Sequence, residues 1–150
     1  MRVVIQRVKN ASVSIEQKKV AEIGRGMMIL LAVEDSDTAE DIEWLTDKVV
    51  KLRIFDDENG VMNKNVMEVN QEIMVVSQFT LFASTKKGNR PSYLRASKPD
   101  FSEPMYEKFL LVLQTKLGKE IPHGVFGADM DVELCNAGPV TIIIDSKLKE

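Results

Sequence analysis

The sequence is poor in the residues that form the commonest catalytic and metal-binding sites. Its 150 residues include one cysteine, Cys135, and one histidine, His123. A lone cysteine excludes a disulfide within the chain and is typical of a reducing compartment, so we expect the protein in the cytoplasm. A Ser-His-Asp or Cys-His site would depend on His123, which lies in the turn-like stretch IPHG and is a weak candidate for a base.

Motifs that bind nucleotides or metals are absent too. The sequence has no P-loop, no G-x-G-x-x-G and no H-E-x-x-H, and the G-R-G stretch at 24–26 indicates only a turn. Cys135 has no second thiol with which to bind a metal. The acidic run Glu40, Asp41 and Glu43 suits the N-terminus of a helix. We therefore expect neither a metal nor a cofactor.

Long hydrophobic segments are also missing. The longest apolar run, MMILLAV at Met27–Val33, has seven residues, whereas a membrane-spanning helix needs roughly 20. The N-terminal MRVVIQRV is interrupted by Arg2, Gln6 and Arg7 and has no small-residue cleavage site. We therefore expect neither a signal peptide nor contact with a membrane.

The overall charge gives no general affinity for nucleic acid. The formal net charge is −3 and the isoelectric point is about 5.3, so nucleic-acid contact would need a local basic patch. The best candidate is KKGNRP at Lys86–Pro91, followed by Arg95 and Lys98. On charge alone, the favoured interpretation of this segment is a solvated loop that uses lysine for solubility.

The periodicity of apolar residues predicts about seven strands and two helices. The strand-like segments are RVVIQRV, ASVSIE, KVAEIG, GMMILLAVE, EIMVV and two stretches near 130–134 and 140–145, with turns expected near Lys9-Asn10 and Gln17-Lys18. The helices do not alternate strictly with the strands, as a doubly wound fold would require. We predict one α+β domain over residues 1–150, a barrel-like curved antiparallel or mixed sheet with two main helices packed on it.

Both helices have recognisable start signals. The first is predicted to begin at Thr38, because T-A-E-D places a carboxylate at the capping-box position. Its core face consists of four apolar residues, Ile42, Leu45, Val49 and Leu52. The second is predicted to follow SKPD, with Ser102 as its N-cap and Pro104 in its first turn.

Two polar stretches interrupt the apolar patterns. SQFTL at Ser77–Leu81 follows a buried strand and brings two hydroxyls and the Gln78 amide to its end. Such groups need hydrogen-bond partners or face a cavity, so SQFTL is either an edge-strand segment or the wall of a pocket. NAGPVT at Asn136–Thr141 lies between two strand-like stretches, where Gly138-Pro139 read locally marks a turn.

Together, SQFTL and NAGPVT resemble the motif pair of the D-aminoacyl-tRNA deacylases. The resemblance extends to MRVVIQRVKNASV at the N-terminus, RIFDDENGVMN at Arg53–Asn63, RPS at Arg90–Ser92 and FGADM at Phe126–Met130. It covers essentially the whole chain, which makes it far more specific than the five residues of SQFTL alone.

The resemblance implies an activity and an assembly. Members of this family hydrolyse the ester between a D-amino acid and the terminal adenosine of tRNA, in chiral proofreading of translation. They also act on the glycyl ester, including glycine mischarged on tRNA(Ala), so D-aminoacyl-tRNA and glycyl-tRNA are the expected partners. The family fold is a barrel-like α+β domain that works as a homodimer with active sites at the interface.

The resemblance also implies roles for individual residues. The reaction-side wall is expected to comprise four consecutive catalytic residues: Ser77, Gln78, Phe79 and Thr80. Substrate binding is expected at the Gly-Pro motif, at the arginine that holds it and near the adenosine: Arg7, Phe126, Met130, Gly138, Pro139, Val140 and Thr141. In this family the Gly-Pro peptide is cis and enters the pocket from the partner subunit. The basic loop becomes a candidate for contact with tRNA phosphates through Lys86, Lys87 and Arg90.

Two mechanisms remain open for this expected site. In one, the Thr80 hydroxyl attacks the ester carbonyl, which needs a base. In the other, the protein positions the ester, backbone N–H groups near Phe79 and Thr80 stabilise the oxyanion, and the tRNA 2′-hydroxyl helps to activate water. We favour the second mechanism because the sequence offers no credible base.

Three other functions are alternatives. A related deacylase acts on L-alanyl-tRNA but changes residues in both motifs, and the intact SQFTL and GPVT argue against it. The chain could instead be a non-catalytic module that sequesters aminoacyl-tRNA ends. An unrelated esterase that uses Thr80 would act on small esters lacking RNA.

Overall fold

The sheet and helices are described by a computed structural model that covers residues 1–149. Within this range there are seven strands, two α-helices and one 3-10 turn. In chain order the elements are β1 (Arg2–Ile15), β2 (Lys18–Ile23), β3 (Gly26–Ala32), α1 (Ala39–Lys51), β4 (Phe55–Asp56), β5 (Met62–Lys64), β6 (Glu72–Ser77), the 3-10 turn (Phe79–Phe82), α2 (Pro99–Leu117) and β7 (Asp131–Asp145). Neither α-helix is long and apolar enough to cross a membrane.

The strand β1 is the centre of the sheet. Its first half pairs antiparallel with β3, its second half pairs antiparallel with β2, and β7 runs antiparallel along its other edge. The strands β3 and β6 are parallel, so the sheet is mixed. Because one long strand pairs with different partners along its length, the twisted sheet curls into a half-barrel. The predicted α+β class, with a curved mixed sheet and two helices, is confirmed.

Alternation along the strands divides the core in two. Met27, Ile29 and Leu31 of β3 belong to the larger cluster, which also contains the buried faces of α1 and α2. Met28 points the other way and packs with Met74 in a second cluster on the opposite face of the sheet. Each such side chain contributes about 1.5–3 kcal/mol on burial, so both faces of this central part of the sheet are stabilised.

The predicted start of the first helix is confirmed. Thr38 is the N-cap of α1, and its backbone N–H donates to the Asp41 carboxylate at 2.8 Å. Burial opposes ionisation, but hydrogen bonds from Lys147, Ser146 and Thr38 hold the pKa of Asp41 well below its usual range. The capping carboxylate is therefore ionised at neutral pH, as the N-terminus of a helix favours.

The predicted start of the second helix is wrong. The N-cap of α2 is Lys98, and Pro99 occupies the first helical position, for which its fixed φ is suited. Ser102 lies inside the helix, where its hydroxyl donates to the Lys98 carbonyl at 3.0 Å. Pro104 therefore lies in the helix rather than in its first turn.

Several strand boundaries also differ from the prediction. The expected turn at Lys9-Asn10 is wrong, because β1 continues through it and absorbs an extra residue as a bulge opposite β7. The two C-terminal strands are likewise one strand, β7. The predicted and observed totals are both seven, but for different reasons. Two pairs of predicted strands are single strands, and the two short strands of the hairpin β4–β5, of two and three residues, were not predicted.

Candidate active site

The SQFTL stretch leaves the sheet and forms a tight turn. β6 ends at Ser77, and Gln78 has φ −147° and ψ 79°, which breaks the strand before the 3-10 turn begins at Phe79. The Gln78 N–H donates to the Leu31 carbonyl at 2.8 Å, and the Ala83 N–H closes the turn on the Thr80 carbonyl at 3.0 Å. The stretch is therefore not an edge strand.

The first N–H groups of this turn are left without partners. The opening residues of a helical turn have no carbonyl behind them to receive their N–H groups. Accordingly, neither the Phe79 N–H nor the Thr80 N–H donates to any group among residues 1–149. Two adjacent backbone donors are thus available at the start of the turn.

The turn is held from behind by two arginines. The guanidinium groups of Arg2 and Arg95 lie 4.8 and 5.0 Å from the centroid of the buried Phe82 ring. Arg2 also donates to the Leu81 carbonyl at 2.8 Å and to the Asp145 carboxylate at 2.9 Å. These contacts fix the end of the 3-10 turn against the end of β7.

A cavity of about 610 Å³ lies in front of the turn, a volume typical of small-molecule sites. It is enclosed by the end of β6, the N-terminus of α2 and the segment that leads into β7. Five residues predicted for the site line it: Ser77, Gln78, Phe79, Phe126 and Met130. Thr80 does not line it, but its hydroxyl accepts a hydrogen bond from Gln78 Nε2 at 2.5 Å.

The far wall of the cavity is positioned by close packing. The Phe126 ring lies 5.8 Å from that of Tyr106, whose hydroxyl donates to the Val75 carbonyl at 3.1 Å. Burial raises the pKa of Tyr106 well above its usual range, so this hydroxyl keeps its proton. At Gly124 a Cβ would lie 2.5 Å from the Met130 sulfur, so only glycine permits Met130 to approach this closely.

His123 is not placed to act on the cavity. Its Nδ1 lies 2.7 Å from the Gly124 carbonyl oxygen, which can only accept, so Nδ1 carries the hydrogen. The residue is exposed and does not line the cavity. Residues 1–149 also contain no group of three or more His, Cys, Asp or Glu side chains that could hold a metal ion.

The interpretation of Gly138-Pro139 as a turn between two strands is wrong, because both residues lie within β7. Between the pairs Gln6–Thr141 and Val8–Asn136, β1 contributes one residue and β7 contributes the four residues 137–140. The extra residues leave the ladder as a bulge, where proline is tolerated. The Gly138-Pro139 peptide bond is cis, as the resemblance implies, and both residues are exposed in this chain.

Arg7 is the single β1 residue beneath this bulge. Its Nε donates to the Ala137 carbonyl at 3.0 Å, and its Nη1 donates to the Ile54 carbonyl at 2.7 Å. Gly138 has φ +126°, and a Cβ there would lie 3.0 Å from Arg7 Nη2 and from Val140 Cγ2. The bulge therefore requires glycine at this position and fits closely over the guanidinium group.

Within one chain, the two predicted motifs lie apart. The lining of the 610 Å³ cavity includes neither Arg7 nor any of residues 138–141. Arg7 and Gly138 instead border a separate cavity of about 290 Å³. The half-buried Val140 is the last residue of the bulge, and Thr141 resumes the ladder by pairing with Gln6.

The basic loop is exposed and lies next to the cavity in sequence. Two backbone hydrogen bonds between Ser84 and Ser92, at 2.8 and 2.9 Å, close its base. The exposed side chains of Lys86, Lys87 and Arg90 form no ion pair within residues 1–149. Their charges are therefore available for an anionic partner.

Sequence reasoning missed part of the cavity lining. Polar and aromatic residues that were not predicted for the site also contribute to it: Tyr93, Ser97, Lys98, Ser102 and Asp129. Lys98 belongs to the basic segment, Asp129 lies within the FGADM motif and Ser102 was interpreted as an N-cap, but the sequence did not predict that they line a pocket. Tyr93 and Ser97 had no signal, and only the fold brings them to the cavity.

Structural similarity places the chain in a class of fold. A solved structure of a "c-Myc DNA Unwinding Element Binding Protein" is 38% identical, with a TM-score of 0.91 over 97% of this chain and 98% of that chain. A solved structure of a probable eukaryotic D-amino acid tRNA deacylase is 18% identical, with a TM-score of 0.82 over 95% and 97%. The curved α+β half-barrel is thus shared with both proteins.

Sequence similarity then defines the family. The family model described as D-Tyr-tRNA(Tyr) deacylase matches residues 4–145. The D-aminoacyl-tRNA deacylases of Flavobacterium johnsoniae and Parabacteroides distasonis are 60% and 62% identical over 150 residues, 100% of each chain. The chain therefore belongs to the D-Tyr-tRNA(Tyr) deacylase family, and membership makes it a hydrolase.

We predict that Arg7→Lys loosens the bulge while leaving the fold intact. Lysine cannot donate to the Ala137 and Ile54 carbonyls together, and losing about 1.5 kcal/mol of hydrogen bonding should raise local amide exchange about tenfold. Hydrogen exchange of the amides at 137–141, apart from Pro139, which has no N–H, measures this. Arg53→Lys, which affects an exposed arginine bonded to the Asn63 carbonyl, is the control. Unchanged exchange at 137–141 would show that Arg7 does not hold the bulge.

Proposed function

We propose that this protein hydrolyses the ester of D-aminoacyl-tRNA, and that of glycyl-tRNA, including glycine mischarged on tRNA(Ala). The products are free tRNA and the amino acid, and the role is chiral proofreading in translation. The observation that carries the proposal is the SQFTL turn: Ser77, Gln78 and Phe79 line the 610 Å³ cavity, and the Phe79 and Thr80 N–H groups have no partner among residues 1–149. Membership of the D-Tyr-tRNA(Tyr) deacylase family supplies the substrate class.

The proposal includes a homodimer in which Gly138-Pro139 completes the partner's pocket. Two observations support it. The cis peptide lies on an exposed bulge of its own chain, so it is free to enter another subunit. The cavity of one chain contains no residue of this motif, although the family pairs the motif with the SQFTL wall.

The proposed filter acts by rejection. A D-residue held by its ester, α-amino group and Cα hydrogen can direct its side chain to solvent, so its identity matters little. An L-residue held by the same groups would direct its Cβ at the Gly138-Pro139 backbone. Arg7 anchors that backbone through the Ala137 carbonyl, so the clash cannot relax easily. Glycine has no Cβ and would pass the filter.

The proposed chemistry is oxyanion stabilisation without a protein nucleophile. The partnerless N–H groups of Phe79 and Thr80 can donate to the oxygen on which charge develops. The Thr80 hydroxyl accepts a hydrogen bond from the Gln78 amide, which is not a base, and the single histidine does not line the cavity. Within residues 1–149, no hydrogen bond joins the Thr80 hydroxyl to a side chain that could remove its proton. The 2′-hydroxyl of the terminal adenosine would then help to activate water.

The proposal also covers the organisation of the enzyme. We infer that residues 1–150 act as one domain and that neither a metal nor a cofactor takes part. We place the enzyme in the cytoplasm, where charged tRNA is used and where a lone exposed cysteine stays reduced. Phe126 and Met130 would contact the adenosine, because they form the cavity wall across from the turn.

The proposed function predicts a definite substrate pattern. We expect hydrolysis of D-Tyr-tRNA and Gly-tRNA and no hydrolysis of L-Tyr-tRNA, measured as release of labelled amino acid. Release only from L-alanyl-tRNA would favour the related L-alanyl deacylase. No release of D-tyrosine with stoichiometric protein would favour a binding module, and hydrolysis of small esters without RNA would favour an unrelated esterase.

We predict that Thr80→Ala leaves single-turnover deacylation within about fivefold of wild type. The variant loses the hydrogen bond from Gln78, which contributes about 1 kcal/mol, but keeps both backbone donors. Thr80→Ser, which keeps a hydroxyl, is the matched control. If Thr80→Ala abolishes turnover with binding intact while Thr80→Ser retains it, the nucleophile mechanism is correct and ours is wrong.

We also propose that Lys86, Lys87 and Arg90 contact tRNA phosphates. Substituting Lys86 and Lys87 together by alanine should weaken tRNA binding and lower the slope of log K against log salt by about 1–2. Substituting Lys18 and Lys108, two exposed lysines on β2 and α2, removes the same charge as a control. Equal slopes for the wild type and the Lys86/Lys87 variant would eliminate phosphate contact by these lysines.

A further inference from the structure

An exposed pair of aromatic rings lies at the edge of the cavity. The Phe79 and Tyr93 rings meet edge to face, with centroids 5.1 Å apart and planes 72° apart. They are 56% and 40% exposed, and the adjacent Leu94 is 96% exposed. Both rings line the cavity and also reach solvent. An apolar surface of this kind beside a binding cavity is typical of a recognition site.

The size of the cavity determines what would reach this pair. A volume of about 610 Å³ suits one small molecule, such as an aminoacyl group with its nucleoside. Under the proposed function, on which this inference rests, the substrate continues as an unpaired RNA strand. The nucleotides that precede the terminal adenosine must then lie outside the cavity, next to the residues at its mouth.

The charge around the pair suits such a strand. Tyr93 directly follows the Ser84–Ser92 closure of the loop that carries Lys86, Lys87 and Arg90. Lys98 lies on the cavity wall beyond it, and among residues 1–149 the lining includes one acidic residue, Asp129. Aromatic rings next to a basic loop form the usual arrangement for binding single-stranded nucleic acid, in which bases stack and phosphates pair with cations.

We propose that the Phe79–Tyr93 pair is a stacking platform for the unpaired nucleotide that precedes the terminal adenosine. In an edge-to-face pair, one ring covers a single face of the other, so three of the four ring faces remain uncovered by the pair. Stacking on a ring face is tolerant of base identity. The platform would therefore recognise a single-stranded RNA end without reading its sequence.

The test compares two substrates that differ only in this nucleotide. D-Tyrosine is esterified either to adenosine alone or to the 3′ end of the trinucleotide CCA, and kcat/KM is measured for each. We expect wild type to prefer the trinucleotide ester, and we expect Tyr93→Ala to reduce this preference about tenfold. Because each variant is compared with itself, a general loss of folded enzyme cancels from the ratio.

Matched variants separate stacking from other effects. Tyr93→Phe keeps a ring and should keep the preference, and Leu94→Ala alters an exposed residue of the same turn and should also keep it. Binding of an unacylated, end-labelled CCA oligonucleotide gives a second readout that needs no catalysis. Tyr93→Ala should weaken this binding by the same factor at low and high salt, because stacking releases no counterions.

Three outcomes would overturn the proposal. In the first, the preference of Tyr93→Ala for the trinucleotide ester stays within twofold of that of wild type. In the second, wild type hydrolyses both esters with the same kcat/KM. Either result would disprove the stacking platform without affecting the deacylase function. Alternatively, Tyr93→Ala could shift the monomer–dimer equilibrium in sedimentation, which would assign the rings to contact between subunits. If wild type does not hydrolyse D-Tyr-tRNA itself, the proposed function fails.

Discussion

The pairing of β1 on both of its edges is the constraint on which the other features depend. The strand is paired with β3 and β2 on one side and with β7 on the other. Where β7 places four residues opposite Arg7 alone, the surplus residues leave the ladder as a bulge, and Arg7 contacts that bulge. The guanidinium group then donates to the backbone of the bulge, which replaces part of the lost ladder. An irregular segment thus becomes a firmly anchored projection.

The same constraint separates the two halves of the proposed site. The SQFTL wall follows β6, which joins the sheet through β3, whereas the Gly-Pro bulge belongs to β7 on the opposite edge of β1. Under the proposed function, one chain therefore carries the reaction cavity and the filter at two separate places. Association of two copies would bring the filter of each to the cavity of the other, and this reciprocity is what an interface with two-fold symmetry provides. The proposed rejection of L-residues also needs the Gly138-Pro139 backbone to be held from outside the pocket. Arg7 of β1 holds it through the Ala137 carbonyl.

What the sequence predicted depended on how local each signal was. The start of α1 was predicted correctly because Thr38 and Asp41 interact within one turn. The start of α2 was predicted wrongly, because Ser102 can either cap a helix or donate to the i−4 carbonyl. The helix begins earlier, at Pro99, so Ser102 lies inside it. The continuity of β1 and β7 could not be read from the sequence, because bulges are defined by a partner strand. The SQFTL stretch was accessible as a polar break in an apolar pattern, whereas Tyr93 and Ser97 reach the cavity only through the fold.

The position of the 3-10 turn also bears on how an enzyme with one histidine can hydrolyse an ester. Backbone N–H groups do not titrate in the physiological range, and their direction is set by the chain itself rather than by a side-chain rotamer. Under the proposed mechanism, the side chains near the turn hold it instead of reacting: Arg2 and Arg95 cover Phe82, and Gln78 engages Thr80. These side chains keep the Phe79 and Thr80 N–H groups in place. Under this mechanism, backbone N–H groups stabilise the oxyanion and the tRNA 2′-hydroxyl helps to activate water. The enzyme therefore needs few catalytic side chains.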